Sequence, residues 1–346
     1  MKRILLTLVL IFTGASVFAL PALVERQLFK VYDTDSIQLD LTWENIDIQE
    51  CDEDDNILVE VFCNKKKFAP TIKSSGSTII VKSVNSKNYF FIGEQRKCTV
   101  IVRIPSTAKF EKFSMGTTSG NIHTQMIITT EKLSSSSTSG NQSLTVEAYA
   151  QDAIIGSTSG DIYVEAIYGE RLKTSSTSGS INISGFDGNT CSVEATSGSL
   201  KLSKLKVNQT RLNTTSGSIT FEGTIYSAFD ASSTSGMINL ELTDAPANNS
   251  RAHATSGSIF IGLPGDSSFS LRAETTSGTF INALTKEKIS DHVNYNRDIN
   301  NGGASIILST TSGRITVDST DGVIANVIDS AIEPDIPVVS FDDPIF

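Results

Sequence analysis

The chain has 346 residues, with 28 Lys and Arg against 38 Asp and Glu, a formal net charge of −10. Hydrophobic residues make up 39% and charged residues 19%, which excludes a disordered tail and a many-span membrane protein. The acidic balance argues against nucleic acid or an anionic membrane surface as the main partner, since both need a concentrated positive face, and four Cys are too few for a disulfide-built scaffold.

Lys2 and Arg3 precede an apolar run from Ile4 to Phe12, and Val17-Phe18-Ala19 ends on a small residue. This pattern predicts a secretory signal peptide over residues 1–19, cleaved after Ala19. The run is short for a bilayer span and polar sequence follows it. Cleavage removes two cations and no anion, leaving 26 against 38, or −12. Residues 20–34 form a leader segment. No later run reaches the length of a transmembrane helix, so no span is expected after cleavage.

Residues 35–115 read as degenerate coils and a cap. Asn45-Ile46-Asp47-Ile48 alternates apolar and polar positions, Ser74-Ser75-Gly76 precedes Thr78-Ile79-Ile80-Val81, and Thr99 to Ile104 is a strong β run closed by Pro105. An open end of a stacked sheet needs such a cover.

A repeat dominates residues 116–324. Thr-Ser-Gly recurs ten times, with its glycine at Gly120, Gly140, Gly160, Gly179, Gly198, Gly217, Gly236, Gly257, Gly278 and Gly313. The spacings are 20, 20, 19, 19, 19, 19, 21, 21 and 35 residues. After each glycine the residues alternate, as in Ile181 and Ile183, Leu200 and Leu202, or Ile219 and Phe221, with Ser180, Asn182, Lys201 and Thr220 between. Alternation signals strands with one buried face. One unit of 19–21 residues cannot bury that face alone, but stacked units can. The fold expected is all-β: a single-stranded parallel β-helix, or β-solenoid, with about 19–21 residues per coil. Thr-Ser-Gly is expected at a corner, where glycine permits a positive φ or a close backbone approach and the hydroxyls bond neighbouring backbone.

The 35-residue interval before Gly313 implies a long polar loop at about 283–303, a place where repeat folds carry binding decorations. Residues 325–346 form an acidic tail containing Pro334, Pro337 and Pro344.

The order of these features, with Ile104-Pro105 before the repeats and Gly302-Gly303-Ala304-Ser305-Ile306-Ile307-Leu308 feeding the last Thr-Ser-Gly, resembles a bacterial candidate-adhesin family of unknown function built from β-strand repeats, similar to adhesin-head domains. The resemblance covers roughly residues 35–320. It implies an extended, right-handed parallel β-helix of the cell envelope and carries over no catalytic residue.

Nothing in the sequence assembles a catalytic site or a cofactor site, and no metal site is expected. His123, His253 and His292 stand apart from Cys and carboxylates at ligand spacing. Asp52-Glu53-Asp54-Asp55 lacks the glycine and distal Glu of a calcium hand. Asp161, in one coil, is replaced by Ser180 and Ser199 in the next two, so no acidic pair repeats there. Ser106-Thr107-Ala108-Lys109 has a Ser-x-x-Lys spacing without its companion motifs. Of the cysteines, Cys191 occupies an apolar position, and Cys63 with Cys98, both at strand ends, is the favoured disulfide over pairings with Cys51.

The function expected is that of a non-catalytic exported envelope protein, an adhesin or surface-binding solenoid that is not an enzyme and is located in the periplasm or at the cell surface of a bacterium. Its partner would be a polysaccharide or another envelope or host-surface protein. The alternatives are a polysaccharide-active enzyme on the same fold and a periplasmic scaffold.

Overall fold

A computed structural model describes residues 21–51, 55–84 and 96–321. The expected signal peptide, residues 52–54 of the acidic cluster and the acidic tail lie outside them. The described residues form 23 strands and two single-turn 3-10 helices, Val31–Asp33 and Lys66–Phe68. The protein is all-β, built from stacked repeats.

The strand Gln142–Ser157 shows the unit. Three buried segments follow one another: Gln142 with Leu144, Ala148 with Ala150, and Ala153 with Ile155. Between them, at 145–147 and 151–152, strict alternation slips. Such a slip moves the next side chains to the other face of the strand, so the chain can keep its apolar side inward only by bending there.

Each coil lies parallel on the next, in register. Ile162 pairs with Ile181, Ile181 with Leu200, Leu200 with Ile219, Ile219 with Ile238, and Ile238 with Ile259. All six are at most 1% exposed. Each such side chain contributes about 1.5–3 kcal/mol by leaving water. The repeat thus becomes a continuous aliphatic column.

The stacking order differs from the sequence order at both ends. Ser36–Asp40 pairs in parallel with both Thr78–Lys82 and Lys109–Thr117. Asn45–Glu50 does the same with Cys98–Ile104 and Ile122–Thr124. The first coil of the chain is therefore sandwiched between two later ones. Outside it, Asn56–Cys63 runs antiparallel to Cys98–Ile104, and Ala22–Lys30 runs antiparallel to Asn56–Cys63. Cys63 and Cys98 face each other in this layer and form a disulfide, with Cα atoms 4.2 Å apart.

The carboxyl end repeats the device. Ser305–Ser319 pairs in parallel with Ser250–Ala254 and Ile259–Leu263 on one side and with Phe269–Asn282 on the other. The Gly313 coil thus lies between those of Gly257 and Gly278, rather than after them. The stretch 283–303, expected as a long loop, contains two strands instead. Glu287–Ser290 and Val293–Ile299 both run antiparallel to Phe269–Asn282. Lys286, Asp291, His292, Asn300 and Gly302, all at positive φ, turn the chain around them. The physical reason is the open edge that a last coil would present. The chain overshoots one rung, covers the edge with an antiparallel strand, and returns to fill the gap.

Candidate functional site

A Cβ on Gly198 would lie 2.0 Å from the carbonyl oxygen of Gly179, and one on Gly217 would lie 2.0 Å from that of Gly198. The same relation runs from Gly120, whose neighbour is the Glu44 carbonyl, up to Gly313 and Gly278. None of the ten has a positive φ. Of the two reasons for glycine, close approach is the one at work.

The Thr and Ser of each Thr-Ser-Gly are exposed, and their backbone carries the coil-to-coil bonds, as in Ser197 N–H to Thr177 O at 2.9 Å. The hydroxyl that closes the corner belongs one residue earlier. Thr117, Ser176 and Thr214 each accept from the N–H of the glycine three residues on, at 2.9–3.1 Å. Just after the glycine, Asn121, Asn141 and Asp161 form a second ladder. Each side-chain oxygen accepts from the backbone N–H of the rung above at 2.8–2.9 Å.

The strand that leads into each corner bears a groove on its outer face. One hollow of 650 Å³ includes Arg211, Asp230 and Arg251. Another of 580 Å³ includes Lys132, Arg171 and Lys173, and the two share Thr190 and Ser192. A third, of 500 Å³, runs beside the corner and is rich in hydroxyls, Ser175, Thr177 and Thr215 among them.

Two outward columns supply the groove's charge. Eight residues before each glycine stand Lys112, Lys132, Asp152 and Arg171, and then Thr190 and Gln209. Six residues before each glycine the rungs read Lys173, Ser192, Arg211, Asp230, Arg251, Ile307 and Arg272. From Lys173 onward cations occupy every second rung of this column, and the three earlier rungs hold Ser114, Ser134 and Ile154. The inserted last coil preserves the alternation by placing Ile307 between Arg251 and Arg272.

The carboxylates hold the guanidinium groups. Arg251 donates Nε and Nη2 to the two oxygens of Asp230, both at 2.9 Å, and Arg211 Nη2 reaches the same carboxylate at 3.2 Å. Arg171 Nη2 reaches Asp152 at 2.8 Å. The hydrogen bond from Arg251, reinforced by that from Arg211, holds the Asp230 carboxyl below its ordinary range, and Arg171 does the same for Asp152. In each fork Nη1 stays free of the carboxylate. Fixing a guanidinium in this way lowers the ordering cost of binding an anion.

Three residues before Asp152 and Arg171, on the same two strands, Tyr149 and Tyr168 stack with centroids 5.1 Å apart. Glu147 accepts from both hydroxyls, at 3.2 and 3.3 Å. Burial, reinforced by Glu147, pushes the Tyr168 hydroxyl up to about 12.

The groove does not bring two carboxylates together. Asp152 and Asp230 lie four rungs apart, roughly 19 Å along the stack, whereas glycoside hydrolysis needs a pair within about 5–10 Å. His123 is half-buried near Asp47, with 3.9 Å between them. His253 is exposed and bonded to Ser309 at 2.9 Å, and His292 is exposed in the end layer. Among the described residues no group of three or more His, Cys, Asp and Glu converges. Cys191 is buried, and burial pushes its thiol up to about 12, while Cys51 is half-buried. No helix among the described residues is long and apolar enough to cross a membrane.

Sequence reasoning singled out the corner glycines and Cys63 with Cys98 but passed over the groove. The signal was present: aligning the repeats on their glycines and reading the sixth residue upstream displays the cation column.

A family model described as Toastrack DUF4097 matches residues 34–203 and 155–318. No curated protein matches the chain. Solved structures give distant likenesses. A candidate adhesin from Parabacteroides merdae is 12% identical, with a TM-score of 0.46, over 85% of this chain and 95% of that one. A candidate adhesin from Parabacteroides distasonis is 13% identical, with a TM-score of 0.42, over 86% and 97%. A candidate lipid-binding protein from the same species is 14% identical, with a TM-score of 0.43, over 84% and 96%.

Proposed function

Because the chain belongs to the Toastrack DUF4097 family, we propose that it is an exported, non-catalytic envelope protein that binds a surface ligand along the outer groove of a right-handed parallel solenoid. One observation carries this reading. The groove's charged and hydroxyl side chains are distributed over successive rungs, so they suit an extended ligand rather than a single reacting bond. The signal-peptide pattern of residues 1–19 supplies the export.

Protease shaving of intact cells, with mass spectrometry of the mature amino terminus, tests the reading. We expect a chain beginning at Leu20 that is digested on unbroken cells. A chain that retains Met1 and stays in the cytoplasm would overturn it. A processed chain digested only after the envelope is opened would replace the adhesin role with that of a periplasmic scaffold.

A further inference from the structure

We infer that the groove takes an acidic polysaccharide bearing one carboxylate per disaccharide. This rests on the surface-binding reading above. The decisive feature is the period of the cation column. Lys173, Arg211, Arg251 and Arg272 occupy alternate rungs, with Ser192, Asp230 and Ile307 between them. Two rungs of a sheet span roughly 10 Å, which is comparable to the repeat of an extended disaccharide. A glycan lying along the stack would therefore meet one cation per repeat over three successive repeats, at Lys173, Arg211 and Arg251, with Arg272 continuing the period beyond the hollows, where Glu274 holds it.

The intervening groups fit the uncharged part of such a ligand. Thr190, Ser192, Gln209 and Asn249 line the groove with hydroxyls and amides, complementary to sugar hydroxyls. Asp230 would repel an anion placed directly over it, so the ligand's charge must skip that rung. A nucleic acid carries a phosphate on every nucleotide and cannot skip it. Asp230 thus does two things: it orients Arg211 and Arg251, and it sets the spacing of the charge that the groove accepts.

The stacked Tyr149 and Tyr168 lie outside the two hollows.

The test uses the mature full-length chain and glycans immobilised on a biosensor. The probes are hyaluronan and heparosan, which carry one carboxylate per disaccharide, carboxyl-reduced hyaluronan, polygalacturonate, which carries one on every sugar, and single-stranded DNA. We expect hyaluronan or heparosan to bind best. Removing the carboxylates should weaken binding by about tenfold or more, as loss of charge-assisted hydrogen bonds does. The triple variant Arg211→Gln, Asp230→Asn, Arg251→Gln should lose affinity by a similar factor while melting within a few degrees of the parent. Equal binding of carboxyl-reduced hyaluronan would overturn the inference without touching the surface-binding reading. So would tighter binding of DNA or polygalacturonate, or no binding to hyaluronan and heparosan. The wild-type comparison of intact and carboxyl-reduced glycan decides the matter even if the variant fails to fold. Failure of the surface-binding reading itself would be seen separately, in the shaving experiment.

Discussion

At the scale of single residues, the molecule depends on what cannot be added. A methyl group on Gly198 would overlap the Gly179 carbonyl at 2.0 Å, and backbone lies on the other side of the contact. The rungs would have to separate. Gly156 sits on the strand leading into a corner, and its nearest atom to an added Cβ is Ser175 Oγ at 3.6 Å. Gly198→Ala should therefore cost several kcal/mol, on the order of 3 or more, as forced core expansion does. Gly156→Ala should be nearly neutral. Denaturant melts of the two variants check this, and equal midpoints would refute the close-approach account. The position three residues before each glycine holds Ser or Thr in eight coils and Ala at Ala195 and Ala254. The sequence motif is thus longer than Thr-Ser-Gly. Its first residue is internal, which is why composition could not distinguish it from the exposed hydroxyls beside it.

At the scale of the strand, the groove is held by carboxylate–guanidinium contacts between rungs. Asp230 has its carboxyl pKa depressed chiefly by Arg251. A depressed carboxyl pKa contributes stability that is present above the unfolded value and is lost as pH falls through the folded one. Asp230→Asn should therefore melt below the parent at neutral pH. The gap should close as pH drops below the usual carboxylate range of about 4. The three side chains are partly exposed, so the difference should be small, about 1 kcal/mol at most. A pH series of melts on both proteins measures it; a gap that widened toward acid would contradict the sign. The strands themselves were legible from Ile181, Leu200 and Ile219 alternating with polar neighbours. The groove was less so, because its charges are 19–21 residues apart and become neighbours only when the coils register.

At the scale of the whole molecule, both ends are built by insertion. Ser305–Ser319, the last described strand, has a parallel partner on each side. Ile315 is wholly buried between Ile259 and Phe280. Ile315→Asp buries an unpaired charge between two ladders and should cost several kcal/mol. Hydrogen exchange would show where the damage spreads. We expect Phe269–Asn282 to lose protection together with 305–319, because the returning strand bridges it to the rest of the stack. Loss confined to residues after 304 would mean that the insertion does not hold the end together.

The sequence by itself determined the coil. Ten glycines at near-constant spacing, with alternation after each, admit few structures other than stacked rungs, because period and burial are local properties of the chain. It also pointed to Cys63 with Cys98, since both lie at the ends of β runs. Only the tertiary structure decided the order of the rungs. The Gly313 coil could as well have followed Gly278 on local pattern alone; covering an open sheet edge is a requirement of the assembled stack, and no window of sequence contains it. The last step of the cation period follows from the same cause. Arg251 and Arg272 are adjacent in repeat order, and only the inserted Ile307 sets them two rungs apart.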